Sequence, residues 1–235
     1  MSQLRAFKSP QLANYLANYA EPEARALRDN RSHLGNICWA AMAHDCCWQG
    51  CLVIPAFDES FQGLQKQIQS IADDQVLMIL VINAPENARQ EALERTQELY
   101  EQMTTEQHGH VLVVDRISTS RRIHPKQGVG MARKIGTDLA LALIEQGRIR
   151  SPWILQSDAD VAFPPAYTNL VHQASHHIPS GAKIFPHTHF SNDPTLHFAA
   201  QLYDKHMNYY VDGLRSAGSP YAHHSLGSTI AIHAM

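Results

Sequence analysis

Between Cys51 and Asp160 short apolar runs alternate with amphipathic stretches, and this alternation narrows the possible folds more than any other feature. Cys51–Pro55 (CLVIP), Val76–Ile82 (VLMILVI), Val111–Val114 (VLVV) and Trp153–Leu155 (WIL) have the length and composition of buried strands. Between them Phe61, Leu64, Ile68 and Ile71 recur at helical spacing behind Ser60, a suitable N-cap. Ala92, Thr96, Leu99 and Met103 mark a second helix. Met131, Ile135, Leu139 and Leu143 mark a third, preceded by Gly128 and Gly130 and running to about Gly147. Apolar strands in alternation with helices imply an α/β domain whose mainly parallel sheet is covered on both faces.

The flanks are less regular. Pro10 can open a helix through Tyr19 and Pro22 another through Leu27, so residues 1–50 read as an N-terminal helical extension and 51–235 as the main domain. Beyond Phe163 the pattern predicts a helix over Tyr167–Ala174, a strand at Lys183–Phe185, a helix over Leu196–Val211 and a strand at Ser228–His233. No internal repeat is visible.

With 44% hydrophobic and 17% charged residues the chain can bury a sizeable core, and its net charge of −3 argues against a nucleic-acid binder relying on bulk basicity. No run approaches the roughly 20 apolar residues of a membrane helix. The N-terminal MSQLRAFKSP lacks the apolar core of a secretory signal. A cytoplasmic location is expected; peripheral attachment to a membrane would leave no trace. Cys38, Cys46, Cys47 and Cys51 cluster near His44 but lack the paired C-x-x-C spacing of structural zinc sites, and buried free thiols are the expected reading.

In parallel sheets ligands gather at the carboxyl ends of the strands. The strand at Trp153 runs into Ser157-Asp158-Ala159-Asp160. Two carboxylates one residue apart can meet a magnesium or manganese ion and, through it, a diphosphate; a surface turn is the plainer alternative. The exit of the first strand reads Pro55-Ala56-Phe57-Asp58-Glu59. Small residues there leave room for a planar ligand, and Phe57 could stack on a base. Asp58 and Glu59 could accept from a ribose or an arginine, or simply favour the next helix start. His124–Lys134 (HPKQGVGMARK) joins glycines, cations and a helix N-terminus, a combination that attracts phosphate. It is neither a Walker loop nor a dinucleotide fingerprint.

In this order, V-I-P-A-F-D-E, G-V-G-M-A-R-K-I-G and S-D-A-D resemble glycosyltransferase family 2, over Cys51–Phe163 and more loosely to the end. The resemblance implies a GT-A-like, Rossmann-like domain. It puts Pro55, Ala56, Phe57 and Glu59 beside the nucleobase and Lys126 and Arg133 near the nucleotide. Asp158, Ala159 and Asp160 would address ribose, diphosphate and metal, with Asp158 and Asp160 as metal ligands. The family's base-reading aspartate is replaced by Asn83, which can donate as well as accept.

The implied reaction is inverting, metal-dependent (Mn2+ or Mg2+) transfer of a sugar from a nucleotide-sugar, a UDP-sugar foremost, to a hydroxyl of a saccharide, lipid-linked or other acceptor. Two alternatives stay open: a non-catalytic nucleotide-sugar-binding module, and a nucleotidyltransferase, which would normally carry a glycine-rich phosphate loop after the first strand. The family's base is an acidic residue downstream of the metal motif, and only Asp193, Asp204 and Asp212 follow Asp160. None has the expected setting. The chain is therefore expected to be the donor-binding portion of a longer protein. Fifteen histidines include His187-x-His189, on one side of a strand-like segment, which could complete a metal site with the aspartates or serve as exposed polar residues.

Overall fold

The computed structural model describes residues 9–29, 37–38, 47–71, 75–106, 108–164, 166–172, 181–224 and 229–234. In chain order its elements are α1 (Pro10–Asn18), α2 (Pro22–Arg28), β1 (Ile37–Cys38), β2 (Gly50–Ala56), α3 (Phe61–Ser70), β3 (Val76–Asn83), α4 (Gln90–Thr105) and β4 (Val111–Arg116). There follow α5 (Gly128–Glu145), β5 (Trp153–Gln156), β6 (Ala182–Ile184), α6 (Pro194–Ser216) and β7 (Ile230–His233). The strands form one sheet in the order β1-β4-β3-β2-β5-β7-β6. Its centre, β4-β3-β2-β5, is parallel. β1 pairs antiparallel with β4, β7 with β5, and β6 with β7.

Every residue of β2 and β3 is buried, which explains why both read as continuous apolar runs. Alternate side chains point to opposite faces. Leu52, Ile54, Met78 and Leu80 meet Leu64 and Ile68 of α3 and Leu99 and Met103 of α4. Cys51, Val53, Leu77 and Ile79 meet Ile135, Leu139 and Leu143 of α5 on the other side. At Gly136 a Cβ would stand 2.3 Å from Val53 Cγ1, so α5 approaches the sheet more closely than alanine would allow. The two N-terminal helices and the turn between them pack on α5 through Leu12, Leu16, Ala20 and Ala24. Lys134 Nζ reinforces this layer, bonding Asp138 at 2.7 Å and Glu21 at 3.0 Å.

Several local expectations are corrected. Ile37–Cys38 adds an edge strand within the segment read as helical, too short to show a period. Ile71 caps α3 rather than lying in it, and Gly128 and Gly130 sit inside the first turn of α5 rather than before it. Tyr167–His172 winds as a 3-10 helix, while Ala174 and Ser228 lie outside the described residues. β6 stops at Ile184, so the chain through His187 and His189 is irregular. Helix α6 buries only Val211 and exposes Leu196, Phe198, Leu202, Tyr209 and Tyr210.

Cys51 is fully buried, and desolvation pushes its thiol up to about 12. Cys47 directs its thiol at the Gly147 carbonyl, 3.6 Å away, and neither sulfur is in a disulfide. Cys46 and His44 lie outside the described residues. Among the described residues no helix is long and apolar enough to cross a membrane.

Candidate functional site

The chain builds the sheet outward from β2 to β3 to β4, then returns to lay β5 on the opposite side of β2. At such a reversal the loops leaving the two central strands diverge and open a crevice. Residues 57–60 leave β2 and residues 157–161 leave β5, so both sequence-selected segments leave the sheet at this reversal.

Ala159 is buried, and Asp158 and Asp160 on either side of it are half-buried and exposed. The turn is fixed from below by Gln67 of α3, itself 5% exposed. Its Nε2 donates to the carbonyls of Asp158 (2.9 Å) and Val161 (3.1 Å). Arg133, in the second turn of α5, donates to the Asp158 carboxylate. Across the crevice the Glu59 carboxyl is raised, first by burial and then by Asp160, Asp58 and Asp158. Glu59 thus feels three further carboxylates at the strand exits.

Two of them are compensated. Asp158 holds Arg133, and Asp58 holds Arg95 through two hydrogen bonds of 2.6 and 2.9 Å. The bond to Arg95 is the main reason the Asp58 carboxyl lies below the usual range. Asp58 also adopts a left-handed conformation (φ 60°), which aspartate tolerates better than most residues, and Thr96 Oγ1 receives its backbone N–H at 3.0 Å. Of the partners open to Asp58, the arginine is the one found. Glu59 and Asp160 gain no such bond among the described residues.

The remaining selected residues differ in setting. Pro55 and Ala56 are buried in β2, and Phe57 is half-buried with its ring packed against the core. Asn83, one step beyond the Ala56–Ile82 pair, is 7% exposed, and its Oδ1 is buried with no protein partner. Ser157 Oγ, also buried, is likewise unpartnered. Lys126 is exposed on the loop before α5, whose first residue, Gly128, takes a positive φ of 52°. Arg133 is therefore brought to Asp158, whereas Lys126 stays exposed on the loop before α5.

Three positioning residues were given no role of their own by the sequence reading. Gln67 sits on the buried face of α3, where a polar residue within an apolar stripe was the available signal. Arg95 lies on the exposed side of α4, where nothing local in the sequence marks it. Asp115, 4% exposed at the end of β4, accepts from Ile117 N, Ser118 N, Ser118 Oγ and Arg121 at 2.6–3.0 Å and shapes the loop leading to α5.

The acidic residues after Asp160 are all engaged. Asp193 caps α6 by accepting from Thr195 and Leu196, Asp212 pairs with Arg215 at 2.5 Å, and Asp204 holds His189. The rings of His187 and His189 lie 5.5 Å apart although they are not in a strand. No protein-family model matches this chain, and neither a curated protein nor a solved structure matches it.

Proposed function

We propose that the strand exits of β2 and β5 bind a nucleotide-sugar and that the chain acts in inverting sugar transfer with a GT-A-type fold. The observation that carries this reading is the concentration of Glu59, Asp158 and Asp160 at the reversal of strand order, beside the cationic start of α5. Of these, Glu59 and Asp160 have no cationic partner among the described residues; carboxylates at such a place suit a cation, and a cation suits a diphosphate.

Asp158 and Asp160 would hold Mn2+ or Mg2+. Among the described residues no group of three His, Cys, Asp or Glu side chains is gathered to hold a metal. Magnesium-type sites commonly use one or two carboxylates and take their other ligands from phosphate and water, so the pair fits. When bound, the ion would neutralise charge growing on the leaving diphosphate. Arg133, now on Asp158, would turn to a phosphate oxygen, for which a guanidinium is well shaped. Free amides at the start of α5 and the rim Lys126 add to the same field. Ala56 and Phe57 would line the base, Glu59 would accept from the ribose, and Asn83 would meet the base edge.

A thermal-shift panel of UDP, GDP, CDP and ADP and their sugar esters, with and without Mn2+, tests this. One nucleotide class should raise the midpoint only when Mn2+ is present. A panel without any nucleotide-dependent shift would contradict the reading.

A further inference from the structure

A second cluster of chemistry lies beside this crevice. Gln156 of β5, Ile230 of β7 and Ile184 of β6 form one row across the sheet. His187 follows Ile184 by three residues as Asp158 follows Gln156 by two, in strands two spacings, or roughly 10 Å, apart. A cavity of about 450 Å³ opens there between the loop after β6, helix α6 and residues 222–224. His187, His189 and His224 line it.

We infer that His187, His189 and His224 form a binding site for a zinc-class transition-metal ion, separate from the carboxylate crevice. Two imidazoles on one tetrahedral zinc at about 2.0–2.1 Å place their ring centroids roughly 5 Å apart. His187 and His189 stand at 5.5 Å and His187 and His224 at 6.3 Å. No three such side chains are close enough to hold a metal among the described residues, so the three rings have to close on the ion as it binds.

The surroundings supply what metal-bound histidines need. A ligating imidazole typically gives its other nitrogen to a carboxylate or carbonyl, which fixes its tautomer and orientation. Asp204 Oδ1 lies 2.5 Å from His189 Nδ1, and its Oδ2 accepts the His189 backbone N–H at 3.0 Å. That arrangement leaves Nε2 of His189 for the metal. Asn208 Oδ1 lies 2.9 Å from His224 Nε2, leaving Nδ1. Both orienting groups come from one side of α6, four residues apart. A bound ion would therefore tie two loops to a helix that buries only Val211 by hydrophobic packing.

Zinc binding measured by calorimetry, paired with the visible spectrum of the Co2+ form, tests the site. One tight zinc ion, distinct from any weaker binding by the carboxylate pair, should bind in wild type and equally in Asp158→Ala/Asp160→Ala. His187→Ala and His224→Ala should each weaken it by at least tenfold, and Asp204→Asn by about tenfold. Zinc should also raise the thermal midpoint of wild type but not of His187→Ala. Absence of zinc binding, or wild-type affinity in His187→Ala/His224→Ala, would overturn the inference. So would a thiolate-to-cobalt charge-transfer band, which would assign the ion to cysteine. Loss of zinc in the aspartate variant would also overturn it, while leaving the nucleotide reading intact.

Discussion

Arg133 of α5 donates to the carboxylate of Asp158 and so joins the start of a helix to the turn at the end of β5. The guanidinium stands where a cation bound by Asp158 would compete with it. Arg133→Ala should therefore strengthen binding of Mn2+ alone by up to about tenfold, because Asp158 is freed. The same change should weaken UDP in the presence of Mn2+ by about tenfold, because a phosphate partner is lost. Calorimetric titrations of the variant with each ligand separate these effects. A parallel change in both affinities would contradict the competition.

Gln67 supports the aspartate turn without presenting a group to the crevice. Gln67→Leu removes two buried hydrogen bonds, to the carbonyls of Asp158 and Val161, and should lower stability by about 1–3 kcal/mol. Nucleotide affinity should fall with it, as the turn loses its fixed geometry. Urea unfolding and UDP titration on one preparation check both; reduced stability with unchanged UDP affinity would show that the turn holds its shape without Gln67.

Asp115 predicts a pH dependence. Burial would raise its carboxyl, but the Ser118 hydroxyl, the Ile117 and Ser118 amides and Arg121 outweigh that and hold it below the usual range. A depressed folded-state pKa gives stability that is complete above the unfolded value, about 4, and is lost as pH falls through the lower folded value. Asp115→Asn should thus be less stable than wild type at neutral pH by about 1–3 kcal/mol. The difference should shrink as the medium is acidified below about pH 4. Denaturation midpoints across that range measure it, and a gap that widened in acid would reverse the assigned sign.

The parallel core was legible because burial on both faces leaves strands as unbroken apolar runs, and four such runs separated by helical periods admit few arrangements. That Glu59 comes near Asp158 and Asp160 was legible because both segments follow strands that pair in the sheet. What stayed hidden depends on contacts distant in sequence. Gln67 and Asp158 are 91 positions apart, and nothing local to α3 says which turn it supports. Asp58 read as one of two equivalent acids until Arg95 of α4 claimed it. Ile37–Cys38 is a strand only because β4 offers an open edge. His187 and His189 were grouped on a strand period that the chain abandons after Ile184; Asp204 and the loop of His224 bring that neighbourhood together instead.

The most direct measurement is calorimetric titration of UDP, with and without Mn2+, into wild type and into Asp158→Ala/Asp160→Ala. Wild type should bind UDP at least about tenfold more tightly with Mn2+, a difference of about 1.4 kcal/mol. The double variant should keep its circular dichroism and lose that dependence. Metal-dependent affinity that survives unchanged in the folded double variant would contradict the account.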